Sequence, residues 1–176
     1  MSKEGTKVYK DNRITTVAAQ NQLNSCIIML KMLVEICEDR IWYHIFNDLP
    51  FWYHVYHVSY FVDYWLREDY RQSDFKSMVF DDRIPPEFEH PVDSSLFISR
   101  GDMLEYIQRL LVKTERFFAV LDDEHLAEPA MEGHANLTYA DVIMTQLRHI
   151  MYNIGYLNGI LRSLGCPESD WYAYNE

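Results

Sequence analysis

The sequence predicts an all-α protein, an antiparallel four-helix bundle with a long connection between the second and third helices. Apolar residues recur at the three- and four-residue spacing of a helix face over long segments. The 176 residues include only 6 Gly and 6 Pro, which are few for a turn-dense β protein. This length is typical of one domain, so residues 1–176 are expected to form a single domain.

The first predicted helix runs from about residue 11 to about residue 39. No Gly or Pro interrupts it, and its apolar stripe follows the helical period. The stripe consists of Leu23, Cys26, Ile27, Leu30, Leu33, Val34 and Cys37.

The second predicted helix covers residues 51–66 and follows a connection over residues 40–50. Pro50 suits a helix start, because the N–H that proline lacks has no partner in the first turn. The segment is apolar or aromatic nearly all round, which predicts burial on most sides. Residues 67–98 contain several prolines and few periodic apolar positions, so they are predicted to form a long crossover connection.

Two capping boxes predict where the last two helices begin. Ser99 with Asp102 precedes the third helix, which is expected to run to about residue 122. After a linker over residues 123–136, Thr138 with Asp141 precedes the fourth helix. That helix is expected to end near residue 164, because the next residue is a glycine suited to the position after a helix end.

Charge and composition exclude several functions. Lys and Arg total 16 against 27 Asp and Glu, so the net charge is −11 and the basic surface that nucleic acid requires is missing. No apolar run is long enough to span a membrane. The polar N-terminus lacks the apolar segment of a signal peptide, and three cysteines favour free thiols, so a cytoplasmic protein is expected.

A polar stripe accompanies the apolar stripe of the fourth helix. It consists of Gln146, His149, Asn153 and Tyr156. Polar side chains beside a core face must find partners or line a cavity. Two interpretations follow: these groups are hydrogen-bonded inside the bundle or face solvent, or they form a metal or substrate site with a facing helix.

Aromatic residues make up 15% of the chain, and many of them lie in the second helix. Such a stripe is typical of a core or a dimer interface, although tyrosine hydroxyls can also line a pocket. The candidate substrate-pocket residues are Tyr53, Tyr60, Phe61, Tyr152 and Tyr156.

Residues 50–66 and 146–158 together resemble the DinB/YfiT-like superfamily of metal-dependent enzymes. The resemblance implies a four-helix bundle, a homodimer and a divalent metal, nickel or zinc, held by three histidines. One of these comes from the second helix and two, four residues apart, from the fourth. They match His57, His149 and Asn153, so asparagine stands at the third position. Its carbonyl oxygen is a weaker ligand than imidazole for either metal.

The resemblance further implies an enzyme of the thiol-transferase or hydrolase type, acting on a small molecule such as a low-molecular-weight thiol. The alternative is a metal-free binding protein, or a dimeric interaction protein, that has lost the third histidine. A different register would let His54, Tyr152 or Tyr156 complete the ligand set.

Overall fold

The computed structural model describes residues 11–67, 80, 83–88, 93–131 and 136–173. Helices dominate, which confirms the predicted all-α class. The helices are α1 (Ile14–Ile36), α2 (Asp39–Trp42), α3 (Phe51–Trp65), α4 (Arg100–Ala119) and α5 (Tyr139–Ser163). Single 3-10 turns at Asp11–Arg13 and His125–Ala127 precede α1 and follow α4.

In the described part of the chain, the four long helices (α1, α3, α4 and α5) supply most of the buried core. Helix α1 contacts both α4 and α5, and α3 also contacts both. Helices α1 and α3 therefore each lie between α4 and α5. The predicted stripe of α1 is buried throughout, with Leu23, Ile27 and Leu30 fully covered. The aromatic residues of α3 are largely buried within the chain itself, and Tyr53 and Tyr60 are at most 1% exposed.

The first helix ends earlier than predicted. Cys37 is extended (φ −67°, ψ 124°), and a separate helix, α2, begins at Asp39. The guanidinium of Arg100 donates a hydrogen bond to the carbonyl of Cys37. Because this carbonyl has a partner outside the helix, the chain can leave the helical path here without burying an unpaired acceptor.

The connection before α3 contains a small hairpin that the sequence interpretation missed. Strand β1 (Ile45–Phe46) pairs antiparallel with β2 (Leu49–Pro50). The two turn residues, Asn47 and Asp48, have φ values of 49° and 70°. Asparagine and aspartate tolerate this left-handed conformation, which a two-residue hairpin turn requires. Pro50 is the N-cap of α3, so the predicted helix start is confirmed.

Side-chain caps fix the starts of α4 and α5. Ser99 accepts a hydrogen bond from the Asp102 backbone N–H, and Thr138 forms a full capping box with Asp141. Gly165 has the positive φ of 69° expected after a helix end. Helix α4 ends at Ala119, about a turn before the predicted boundary.

Part of the predicted long connection, residues 68–79, 81–82 and 89–92, lies outside the described residues, as do residues 1–10, 132–135 and 174–176. The described segment 83–88 lies against α3, where the Tyr53 hydroxyl donates to the carbonyls of Pro85 and Glu87. No helix in the described part of the chain is long and apolar enough to cross a lipid bilayer.

Candidate functional site

The fold brings His57 on α3 and His149 on α5 together. Their Nε2 atoms are 3.2 Å apart, and their rings cross at 75° with centroids 5.1 Å apart. The two residues are 92 positions apart in the chain, so only the packing of α3 against α5 creates this pair. Both rings are partly buried.

The segment 83–88 holds the His57 ring from two sides. Its Nδ1 lies 2.8 Å from the carbonyl oxygen of Pro86, and the Phe88 ring stacks on it at 4.0 Å with planes 20° apart. A carbonyl only accepts, so Nδ1 carries the proton and the Nε2 lone pair faces His149. Metal-binding histidines have this arrangement, in which the other ring nitrogen donates to a carbonyl.

Both imidazoles favour the neutral form. Burial lowers the pKa of His57, while the Pro86 carbonyl and the Glu87 carboxylate partly oppose that shift. Burial, together with repulsion from a charged His57, lowers the pKa of His149 to about 4. Only a neutral imidazole has the lone pair that a metal ligand needs.

The spacing of the two Nε2 atoms fits a shared metal ion. Two nitrogens each ~2.1 Å from zinc, at an angle between about 90° and 110°, lie roughly 3.0–3.4 Å apart. The observed separation of 3.2 Å lies inside this interval. The same distance also suits a direct hydrogen bond from Nε2–H of His149 to Nε2 of His57.

Asn153, the third residue that the resemblance assigns, is bonded to its own helix. Its side chain is 6% exposed, and its Nδ2 donates to the His149 carbonyl at 2.9 Å. Asn153 lies one turn beyond His149 and is not among the residues that line the pocket beside the two histidines. The structure therefore brings together two of the three predicted ligands.

A pocket of about 450 Å³ opens beside the two histidines. It is lined by His57, Phe61, Trp65, Thr145, Gln146, Arg148, His149 and Tyr152. The Phe61 ring packs against both imidazoles, with centroid distances of 4.9 Å to His57 and 5.9 Å to His149. Tyr152 is 76% exposed and lies at the rim. Among these lining residues Arg148 alone carries a permanent charge.

The other predicted pocket residues lie elsewhere. Tyr53 bonds to the segment 83–88, and Tyr60 is buried, which raises the pKa of its hydroxyl to about 12. The Tyr156 hydroxyl accepts from Asn47, and its ring packs on His54 at 5.1 Å. None of these side chains lines the pocket beside His57.

Several residues of the site were not predicted as such. Trp65 belongs to the aromatic residues of the second predicted helix and was not assigned to the site. Gln146 was marked only as a member of the polar stripe, with no ligand or pocket role of its own. Arg148 lies beside His149 in sequence, within the segment 146–158 that carries the resemblance, so the sequence did contain a signal for its place near the site. No sequence signal marks Phe88 as a site residue, because it reaches His57 from a connection without periodicity.

Other reactive groups are less suited to chemistry. Burial raises the pKa of the Cys26 thiol to about 11 and that of Cys37 to about 12, so neither is a nucleophile near neutral pH. A larger pocket of about 560 Å³ lies at the hairpin, but its lining contains no imidazole or thiol. The lining residues are Tyr43, Ile45, Asp48, Pro50, Trp52, Asp93, Ser94, Leu96 and Phe97.

Within the described ranges, no group of three or more His, Cys, Asp or Glu side chains is arranged to hold a metal ion. Any third protein ligand beside His57 and His149 would therefore be of another residue type or come from outside these ranges. Comparisons of the chain with protein-family models, with curated proteins and with solved structures gave no match.

Proposed function

We propose that this protein is a DinB-like, metal-dependent enzyme whose divalent ion, nickel or zinc, is held by His57 and His149. The observation that carries the proposal is the 3.2 Å separation of their Nε2 atoms, on two side chains that line one pocket. The contacts of α1 and α3 with both α4 and α5 support the four-helix-bundle part of the proposal. The proposal also includes a homodimer and a cytoplasmic location. Three free cysteines favour a reducing compartment.

The reaction class that we propose is thiol transfer. When bound, a divalent metal ion lowers the pKa of a thiol next to it, which makes the sulphur a better nucleophile near neutral pH. In the overall reaction the S–H bond of the thiol and a carbon–leaving-group bond break, a sulphur–carbon bond forms, and the proton departs with the leaving group. Hydrolysis is the same displacement with water in place of the thiol.

The residues of the chain have separate parts in this scheme. The Pro86 carbonyl and the Phe88 ring hold His57 so that Nε2 faces His149. Phe61 and Trp65 offer apolar surface to the electrophile. Arg148, at the same pocket, would attract a carboxylate on the substrate, so an anionic thiol is the favoured class.

An activity assay tests this function. Protein loaded with Ni²⁺ or Zn²⁺ is mixed with mercaptoacetate and chlorodinitrobenzene, and a parallel sample with p-nitrophenyl acetate tests hydrolysis. We expect thioether formation that chelation abolishes and that His149→Ala removes. An equal rate in loaded, chelated and His149→Ala protein would show that the metal and the site have no part in the reaction.

The second candidate is a metal-free binding protein, and the same 3.2 Å contact favours it. With Nδ1–H of His57 bonded to Pro86, the free lone pair on Nε2 can accept the Nε2–H of His149 directly. Asn153→His separates the two candidates. If the variant binds zinc tightly and the parent protein binds none, the parent protein has a former metal site that lost its third histidine ligand.

A further inference from the structure

Gln146 has a buried oxygen without a partner. Its side chain is 1% exposed, and its Oε1 accepts no hydrogen bond from any described residue. It lies on α5 three residues before His149 and lines the same pocket as both histidines. A buried carbonyl oxygen is almost always paired, so an unpaired one at a pocket indicates a group that binds there.

The chemistry of that oxygen limits what the group can be. An amide oxygen only accepts, so its partner is a hydrogen-bond donor or a cation. Side chains three residues apart on a helix are neighbours, which places the Gln146 side chain next to that of His149. His149 in turn is paired through Nε2 with His57.

We infer that Gln146 supplies the third protein ligand of the metal ion, through Oε1, alongside Nε2 of His57 and Nε2 of His149. The inference rests on the proposed function and goes beyond it by naming a donor that the family resemblance does not assign. Asn153, which the resemblance does assign, uses its amide nitrogen on the His149 carbonyl and lies outside the pocket.

This ligand set has a chemical consequence. Two neutral imidazoles and a neutral amide leave the full charge of a divalent ion uncompensated. Three protein donors also leave a coordination position open, as catalytic zinc sites require. A small ligand can reach it from the pocket, whose wall includes Phe61, Trp65 and Tyr152.

The test is titration of the metal-free protein with Co²⁺, followed by visible absorption, because band intensity and position report on the ligands. Gln146→Leu removes the donor, Gln146→Glu replaces it with a carboxylate, and Asn153→Leu removes the alternative. Gln108→Leu, at an exposed position on α4, is the matched control. We expect roughly tenfold weaker binding for Gln146→Leu and roughly tenfold tighter binding for Gln146→Glu, each with an altered spectrum.

A metal-free readout accompanies the titration. Removing an unpaired buried oxygen relieves its desolvation cost, so Gln146→Leu should melt higher than the parent without metal and gain less from added Co²⁺. Asn153→Leu and Gln108→Leu should keep the parent's Co²⁺ affinity within about threefold.

The outcomes separate this inference from the proposed function. If the parent binds Co²⁺, His149→Ala does not, and both Gln146 variants bind like the parent, then the Gln146 inference is wrong and the metal site stands. Loss of binding in Asn153→Leu but not in Gln146→Leu overturns the inference in favour of Asn153. If the parent binds no Co²⁺, neither proposal survives.

Discussion

The Nε2 atoms of His57 and His149 face each other at 3.2 Å across the contact between α3 and α5. This single relationship joins two distant segments that the sequence had marked separately. Because the Pro86 carbonyl fixes the proton of His57 on Nδ1, at least one lone pair points into the gap.

His149 in metal-free protein should remain neutral well below the usual range of histidine. Burial and the neighbouring His57 lower its pKa to about 4, so NMR titration should show its imidazole neutral at pH 5. His125 is the internal control, because its hydrogen bond to Asp122 raises its pKa above the usual 6.5. A midpoint near 6.5 for His149 would contradict the buried, paired geometry.

The same shift gives a direction for stability. Between the unfolded pKa of 6.5 and the folded value of about 4, the unfolded chain binds more protons at position 149 than the folded chain. The contribution of His149 to the free energy of unfolding is therefore fully present above about pH 6.5 and is lost as the pH falls towards 4. Denaturant titrations at several pH values check this. As the pH falls through this interval, the unfolding free energy of His149→Ala should fall less steeply than that of the parent protein.

Arg148→Gln should change substrate preference rather than the chemical step. The guanidinium can pair with a substrate carboxylate at the open pocket, so its loss should raise KM for mercaptoacetate roughly three- to tenfold and leave kcat nearly unchanged. With uncharged mercaptoethanol, KM should not change. Arg116→Gln, exposed on α4, is the control, and equal effects on both thiols would contradict a charge contact.

Tyr106→Phe should destabilise the contact between α3 and α4. The Tyr106 hydroxyl donates to the Asp63 carboxylate at 2.8 Å, and Lys113 bonds to the same carboxylate. Losing the hydroxyl should lower the unfolding free energy by about 1 kcal/mol, because Lys113 still compensates the charge. The control is Tyr43→Phe, at a tyrosine that is 46% exposed, and it should leave the unfolding free energy unchanged within error. Equal values for both variants would show that the buried hydrogen bond contributes nothing.

The helical class and most helix boundaries were predictable, because capping residues and apolar periodicity are local signals. Thr138 with Asp141 and the stripe from Leu23 to Cys37 are examples. The break after Ile36 was not predictable from local patterns, since Arg100, which pairs with the Cys37 carbonyl at the break, is far away in the sequence. The hairpin at Asn47–Asp48 had a weak local signal, because both residues tolerate positive φ.

The site was predictable only in part. His149 had a local signal, its place in a polar stripe on α5, and His57 was assigned through the resemblance. The support of His57 by Pro86 and Phe88 comes from a connection without periodicity, so no pattern could reveal it. The polar stripe contained Gln146 and Asn153 alike, and only packing shows that Gln146 lines the pocket while Asn153 bonds to its own helix.

Calorimetric titration of Zn²⁺ into metal-free protein tests the paired-histidine metal site most directly. We expect about one ion per chain, an affinity reduced at least ~100-fold in both His57→Ala and His149→Ala, and no change in the exposed control His125→Ala. No binding by the parent protein, or the same affinity in all four proteins, would contradict it.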